Sequence, residues 1–183
     1  MTDTRTRTAF LRSMRAVRRF SADPIAEPVL QDILEAGRWT GSSKNTQPWH
    51  LIVIRERRTL ESLSACGPFA GHLAGARAAI ALVMDDGRRQ FDEGRLAQNL
   101  MLAAWAHGVG SCIGSLYPET NTKRAMATLE VPAEKWLHTA ISFGYPADKS
   151  ALRLSANPGT LSTVPIGRRS LAGLVSWERF GQR

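Results

Sequence analysis

Residues 42–49 read Ser-Ser-Lys-Asn-Thr-Gln-Pro-Trp, and they are the most informative stretch of the sequence. Five consecutive side chains from Ser43 to Gln47, or six with Ser42, can form hydrogen bonds, and a Pro-Trp pair ends the run. A polar rim beside a flat apolar wall suits a planar heteroaromatic ring with many hydrogen-bond acceptors. The alternative is an ordinary surface loop, because residues 41–48 all have turn or polar character.

Regular structure is predicted on both sides of this polar stretch. Apolar side chains from Pro28 to Trp39 follow one face of a helix, and the β-rich run Trp49–Ile54 predicts a strand. The same patterns predict helices over residues 8–16, 59–65, 92–107 and 119–129, and strands over residues 78–84 and 137–143. Residues 108–115 contain three glycines and are predicted as a turn, and a loop is predicted from residue 147 to residue 170.

Two segments carry more apolar surface than one small domain can cover. The helix predicted over residues 92–107 is apolar on most sides, which indicates burial against a second subunit as well as against its own sheet. The tail from Leu171 to Phe180 has several apolar residues but no helical stripe, so we expect an extended arm that packs on another surface. With no linker visible, the sequence predicts one α+β domain over residues 1–183.

Composition limits the possible partners and locations. The 183 residues are 43% hydrophobic with a net charge of +8, which favours anionic partners or simply a solvated basic surface. A nucleic-acid-binding module is an alternative, but the arginines do not alternate with aromatic residues. The N-terminus is polar and no apolar run approaches the ~20 residues that span a bilayer, so we expect neither a signal peptide nor a membrane segment. Cys66 and Cys112 indicate a reduced, cytoplasmic protein.

Several common chemistries lack their motifs. The four histidines form no HxxxH or HExxH pair, so no metal site is predicted. No GxSxG elbow or phosphate-binding P-loop occurs. Gly108, Gly110 and Gly114 resemble a dinucleotide fingerprint, but Ile113 replaces the third glycine and the run follows a predicted helix rather than a strand.

Two further segments could bind a phosphorylated planar ligand. Arg15 and Arg18 are three residues apart at the predicted end of the first helix, where their guanidinium groups would share one side and bind a phosphate. A solvated helix end is the alternative. The glycines in Gly110–Ser115 would allow backbone N–H groups to approach the edge of a ring.

Together these segments resemble the FMN-dependent nitroreductases along nearly the whole chain. Residues 42–49 carry the most specific part of the resemblance. The other matching segments are Arg15–Phe20, Asn99–Ala104 running into Gly108–Cys112, Leu129–Pro132, Gly144–Pro146 and Ser176–Gly181. The chain departs from many members at three places, with Met14 in place of a basic residue, Ala16 in place of serine and Gly41 in place of proline.

The resemblance implies a central, mainly antiparallel sheet flanked by helices, in an intertwined homodimer with exchanged C-terminal arms and FMN at the interface. Arg15 and Arg18 would contact the flavin phosphate, ribityl chain or pyrimidine edge, with Ala16 contributing backbone. The other implied flavin contacts are Ser42, Ser43, Asn45 and Gln47 along the ring, partly from the other subunit; Ile113, Gly114 and Ser115 near its reactive centre; and Arg168 at the phosphate, with Arg169 as its nearest substitute.

The resemblance also implies the reaction. NAD(P)H would give hydride to the flavin and leave, and a small electron-poor acceptor such as a nitroaromatic or a quinone would then occupy the same pocket, a ping-pong mechanism. No side chain is assigned as a catalytic acid or base, because the flavin carries the chemistry. Relatives of the same fold that oxidise peptide-like substrates, remove halogens or degrade flavin are the alternatives.

Overall fold

The structure is a computed structural model that describes residues 4–148, 159–161 and 164–182. The chain forms two compact units, residues 1–148 and 149–183, which are described separately. The first contains α1 (Thr4–Ser13), α2 (Glu27–Arg38), β1 (Trp49–Ile54), α3 (Arg57–Ser64), β2 (Ala78–Met84), α4 (Gln90–Ala106), β3 (Gly110–Ser115), α5 (Glu119–Thr128) and β4 (Trp136–Gly144). Two short 3-10 turns, Ser43–Asn45 and Gly71–Gly75, complete this unit.

The four strands of the first unit form one antiparallel sheet in the order β1-β2-β4-β3. All seven residues of the inner strand β2 are buried, because helices cover both faces of the sheet. Its sequence therefore shows a continuous apolar run rather than an alternating pattern. β1 and β3 are the two edges of this sheet, and β3 pairs with β4 so that Ile113 lies opposite Ile141.

Each face of the sheet has its own apolar core. On one face, α2 and α4 pack closely enough that a Cβ added at Gly37 would lie 2.6 Å from Leu100 Cδ2. That core contains Leu30, Ile33, Ile80, Leu82, Leu96, Leu100, Ile141 and Phe143. The core on the opposite face, beneath α3 and α5, contains Leu60, Leu63, Leu73, Ala79, Ala81, Ala125 and Leu137. Cys66 and Cys112 are buried free thiols.

Two predictions about local structure in the first unit were wrong. Residues 110–115 form a strand instead of a turn, although glycine and serine have low strand propensity. The glycine at 110 is needed for packing, since a Cβ there would lie 2.6 Å from Val17 Cβ. The first helix ends at Ser13, three residues earlier than predicted, and Ala16 instead forms a parallel bridge with Ser111 at the sheet edge.

The second unit contains a short antiparallel pair, β5 (Gly159–Leu161) and β6 (Val164–Ile166), within the segment predicted to be loop. A 3-10 turn follows at Leu171–Gly173. The end of the tail is folded into turns rather than extended, with the Trp177 N–H donating to the Gln182 carbonyl at 2.8 Å. Its apolar side chains are exposed in the single chain: Leu171, Leu174, Trp177 and Phe180.

Among the helices described for this chain, none combines the length and the apolar character that crossing a membrane requires.

Candidate functional site

The outer edge of β3 directs backbone groups away from the sheet. The Ser111 carbonyl accepts the Val17 N–H at 2.9 Å, and the Ile113 carbonyl lies 3.3 Å from His72 Nε2. In an antiparallel ladder, the N–H and C=O of one residue point to the same side. The N–H groups of Ile113 and, two residues on, Ser115 are therefore directed away from β4. This edge can donate hydrogen bonds to a ligand that lies along it.

A cavity of about 530 Å³ lies beside this edge. Its walls are Arg18, Phe69, Gly71, His72 and Ile113. The Phe69 side chain is 73% exposed and that of Ile113 is 46% exposed, so both offer apolar surface to a ligand. The Arg18 guanidinium lies within hydrogen-bonding reach of the Cys112 thiol. The cavity thus combines one cation with flat apolar walls, which suits a planar ring with an electron-rich edge.

Burial and the Arg18 charge determine the protonation states of two side chains near this cavity, His72 and Cys112. Burial lowers the pKa of His72, and the nearby Arg18 charge lowers it further against the opposing bond to the Ile113 carbonyl. Burial raises the pKa of the Cys112 thiol, and Arg18 partly offsets that effect. At neutral pH both side chains are therefore uncharged, and Arg18 is the cation among the cavity's walls.

Arg15 and Arg18 are not arranged as the sequence predicted. The prediction placed them on one side of a helix, but α1 has ended by Ser13 and residue 16 is bridged to β3. In extended backbone, residues three apart point to opposite sides. Arg15 Nη1 donates to the carbonyls of Arg12 at 2.8 Å and Met14 at 2.7 Å. Of the two arginines, Arg18 lines the cavity, and the Ala16 backbone pairs with Ser111 at the sheet edge.

The loop at residues 42–47 has an unusual backbone. Lys44, Asn45 and Gln47 all have positive φ angles near 50°, a conformation that few non-glycine residues adopt. The Ser42 hydroxyl stabilises it by accepting the Gln47 N–H at 2.8 Å. Such strain is concentrated at functional sites. In the part of the chain that the structure describes, no hydrogen bond of this loop reaches the walls of the Arg18 cavity.

Arg168 and Arg169 lie in the second unit and are exposed. Arg168 Nη1 donates to the Gly167 carbonyl at 2.8 Å. Their assignment to a phosphate remains a prediction. Among the residues described, no cluster of three or more His, Cys, Asp or Glu side chains is suited to hold a metal ion.

Comparison with known proteins places this chain in a family. The model of the nitroreductase family matches residues 11–87 and 69–145. An Archaeoglobus fulgidus protein, provisionally named an NADH dehydrogenase/NAD(P)H nitroreductase, is 31% identical in an alignment of length 143 that covers 74% of this chain and 82% of the relative. Nitroreductase NfnB of Mycolicibacterium smegmatis is 28% identical, covering 78% of this chain and 83% of the relative. The chain therefore belongs to the nitroreductase family.

Solved structures confirm the predicted α+β, nitroreductase-like fold. An FMN-dependent nitroreductase from Clostridium difficile superposes with a TM-score of 0.73 at 26% identity, over 78% of this chain and 88% of that one. A protein from Desulfovibrio desulfuricans, provisionally named a nitroreductase and solved in complex with FMN, gives a TM-score of 0.74 at 26% identity, over 94% of this chain and 96% of that one.

Three walls of the cavity were not predicted from the sequence: Phe69, Gly71 and His72. All three follow α3 in the run Gly67-Pro68-Phe69-Ala70-Gly71-His72, where no periodicity marks them. Glycine and proline residues are typical of turns and carry no signal for a binding site. What places them in the site is the close packing of Gly67, where an added Cβ would lie 2.0 Å from the Ser115 carbonyl oxygen.

Proposed function

We propose that this protein is an FMN-dependent oxidoreductase that transfers hydride from NAD(P)H to a small electron-poor acceptor, such as a nitroaromatic or a quinone, in two alternating half-reactions. The observation that carries the proposal is the Arg18 cavity beside the β3 edge, in a chain of the nitroreductase family. The FMN-bound structure from Desulfovibrio desulfuricans, which covers almost the whole chain, supports FMN as the cofactor.

The residues present fit a flavin ring system. The pyrimidine edge of such a ring carries oxygen and nitrogen acceptors, and the outward N–H groups of Ile113 and Ser115 supply matching donors. The exposed side chain of Ile113 and the ring of Phe69 supply apolar surface for the face of the ring. A bound flavin would supply the hydride-transfer chemistry itself.

The contribution of the protein is then binding and electrostatics. Arg18 is a cation beside a partly enclosed cavity, and its charge favours negative charge on a bound ring. The neutral His72 adds no second positive charge there, and its contacts hold the 3-10 turn against the sheet. Ser42, Ser43, Asn45 and Gln47 would line the ring, partly from a second subunit, and Arg168 or Arg169 would bind the phosphate.

We also propose a cytoplasmic homodimer, which would bring the 42–47 loop and the Arg18 cavity together. Several large apolar side chains have no cover within their own unit, which supports this assembly. The Trp39 and Phe91 side chains are 74% and 79% exposed, and those of Trp177 and Phe180 in the second unit are also exposed. Exposed aromatic surface of this kind marks interaction sites.

The experiment that tests the function is anaerobic titration of the purified protein with NADH and with NADPH, followed at the flavin absorption band near 450 nm. We expect one nucleotide or both to bleach the band, and addition of a nitroaromatic or a quinone to restore it. A flavin-loaded protein that neither nucleotide reduces would contradict the proposal. It would favour one of the other flavin-dependent reactions considered for this fold.

A further inference from the structure

A second cavity, of about 500 Å³, shares the wall residue Ile113 with the Arg18 cavity. One face of α4 forms one wall, with residues spaced at i, i+3, i+4 and i+7, and the first part of β4 forms the other. Its walls are Gln90, Glu93, Gly94, Ala97, Ile113, Trp136, His138 and Thr139. Because Ile113 belongs to both cavities, a ligand here would lie next to one bound beside Arg18.

Among the residues that line this second cavity, Glu93 is unusual because it is a buried acidic side chain. Only 6% of the residue is exposed, and its Oε1 atom has no hydrogen-bond partner among the described residues. The carboxyl group does bond the Thr139 side chain. Burial raises the pKa of Glu93, against the opposing effects of Thr139 and of the His138 charge. A buried carboxyl oxygen without a partner destabilises a fold, so its presence calls for a ligand or another function.

The register of the sheet helps to open this cavity. β4 pairs with β2 through Leu82↔Thr139 and then Val83↔Leu137, so His138 is the extra residue of a β-bulge. A bulge redirects side chains and is common beside functional sites. His138 and Trp136 consequently line the cavity together with the buried Thr139.

We propose that this second cavity is the acceptor subsite, and that Glu93 selects acceptors that carry a hydroxyl or amino hydrogen-bond donor on the aromatic ring or one carbon from it. The inference rests on the proposed function, since it assumes that the reducible group of the acceptor lies on the Ile113 side. A free carboxyl oxygen accepts a hydrogen bond, and the side chains of Trp136, Ala97 and Ile113 provide the apolar contacts for an aromatic ring. An acceptor without a donor leaves Glu93 unsatisfied and binds more weakly.

Two matched probes test this selection: 3-nitrobenzyl alcohol and its methyl ether. The saturated carbon separates the oxygen from the ring, so the nitro groups have similar reducibility and only the donor differs. Binding is measured through quenching of tryptophan fluorescence, with Trp136→Phe identifying the signal from the cavity, and kcat/KM is measured in parallel. We expect the wild-type protein to bind the alcohol about tenfold more tightly than the ether.

Substitutions at Glu93 assign the preference to one side chain. Glu93→Leu should abolish it, giving equal dissociation constants, and should also raise the melting temperature, because the unsatisfied carboxyl group is removed. Glu93→Gln keeps an acceptor oxygen and should retain a preference of about threefold. Glu134→Leu, at an exposed carboxylate outside the cavity, should leave the wild-type preference intact.

Equal binding of both probes to the wild-type protein, or an unchanged preference in Glu93→Leu, would overturn the proposal. The fluorescence measurement does not depend on turnover. A Glu93-dependent preference in a protein that NAD(P)H cannot reduce would therefore support the subsite and count against the proposed function. Reduction of both probes with no such preference would support the function and overturn the subsite.

Discussion

The imidazole of His72 is held against the sheet by Ser142, with Nδ1 2.7 Å from the Ser142 hydroxyl oxygen. Because Nε2 faces the Ile113 carbonyl, the neutral ring donates there and Nδ1 accepts the Ser142 hydroxyl proton. This arrangement connects the 3-10 turn Gly71–Gly75 to two neighbouring strands of the sheet, the edge strand β3 and the inner strand β4. It also fixes one wall of the Arg18 cavity.

We expect acid to destabilise the protein through His72. Burial lowers its pKa in the folded state, so below the unfolded value of about 6.5 the unfolded chain binds more protons than the folded chain does. Stability should therefore fall as pH decreases below about 6.5. His72→Gln should show a smaller loss of melting temperature between pH 7.5 and pH 5.5 than the wild type, in thermal unfolding followed by circular dichroism. His50→Gln, at an exposed residue, should behave as the wild type does; equal pH dependence in all three proteins would refute the role of His72.

Arg18 should contribute strongly to flavin affinity. A hydrogen bond to a charged group contributes about 1.5–3 kcal/mol, so Arg18→Ala should weaken FMN binding by roughly ten- to a hundredfold. Fluorescence titration of the apoprotein with FMN measures this. Arg57→Ala is the matched control, because Arg57 forms an exposed ion pair with Glu61 on α3, away from the cavity walls. Similar losses in both variants would show that the site has been misplaced.

Gly67 should tolerate no side chain. A Cβ at this position would lie 2.0 Å from the Ser115 carbonyl oxygen, so Gly67→Ala must displace β3 or the segment before Phe69. Overpacking of this kind costs about 1–3 kcal/mol, which corresponds to roughly 2–4 °C in melting temperature per kcal/mol for a chain of this length. FMN affinity should fall as well, because both segments form the cavity.

The control for this substitution is Gly75→Ala, since a Cβ at Gly75 would meet no atom within 4 Å. It should change neither the melting temperature nor FMN affinity appreciably. A Gly67→Ala protein as stable as the Gly75→Ala control would contradict this prediction. It would mean that β3 can shift without loss of stability.

Dimerisation and flavin binding should depend together on the C-terminal tail. The side chains of Leu171, Leu174, Trp177 and Phe180 are exposed in the single chain, and burying one such side chain contributes about 1.5–3 kcal/mol. Deletion of residues 171–183 should therefore lower both the oligomeric state and the flavin content, measured by size exclusion with light scattering and by absorbance. A truncated protein that remains a dimer with full flavin content would refute the coupling.

The regular parts of the fold could be predicted from sequence because their patterns are strong. β1 and β2 have the predicted limits, Trp49–Ile54 and Ala78–Met84, since both are uninterrupted runs rich in apolar and β-branched residues. β3 could not be predicted, because its strand conformation comes from pairing with β4 and from packing at Gly110 rather than from local propensity.

The site was predictable only in part, because it too depends on tertiary contacts rather than on local sequence patterns. Arg18 was identified from a motif, but the neighbours that give it a cavity, Phe69 and His72, come from a segment about 50 residues later in the chain. Their meeting depends on the close approach of Gly67 to β3, a tertiary contact that no local pattern encodes.

The most direct test of the central claim is identification of the flavin released when the purified protein is denatured. We expect FMN at about one molecule per chain, bound either as isolated or after reconstitution, because each chain carries the Arg18 cavity that we propose as the flavin site. Recovery of FAD, or of no flavin even after incubation with excess FMN, would contradict it.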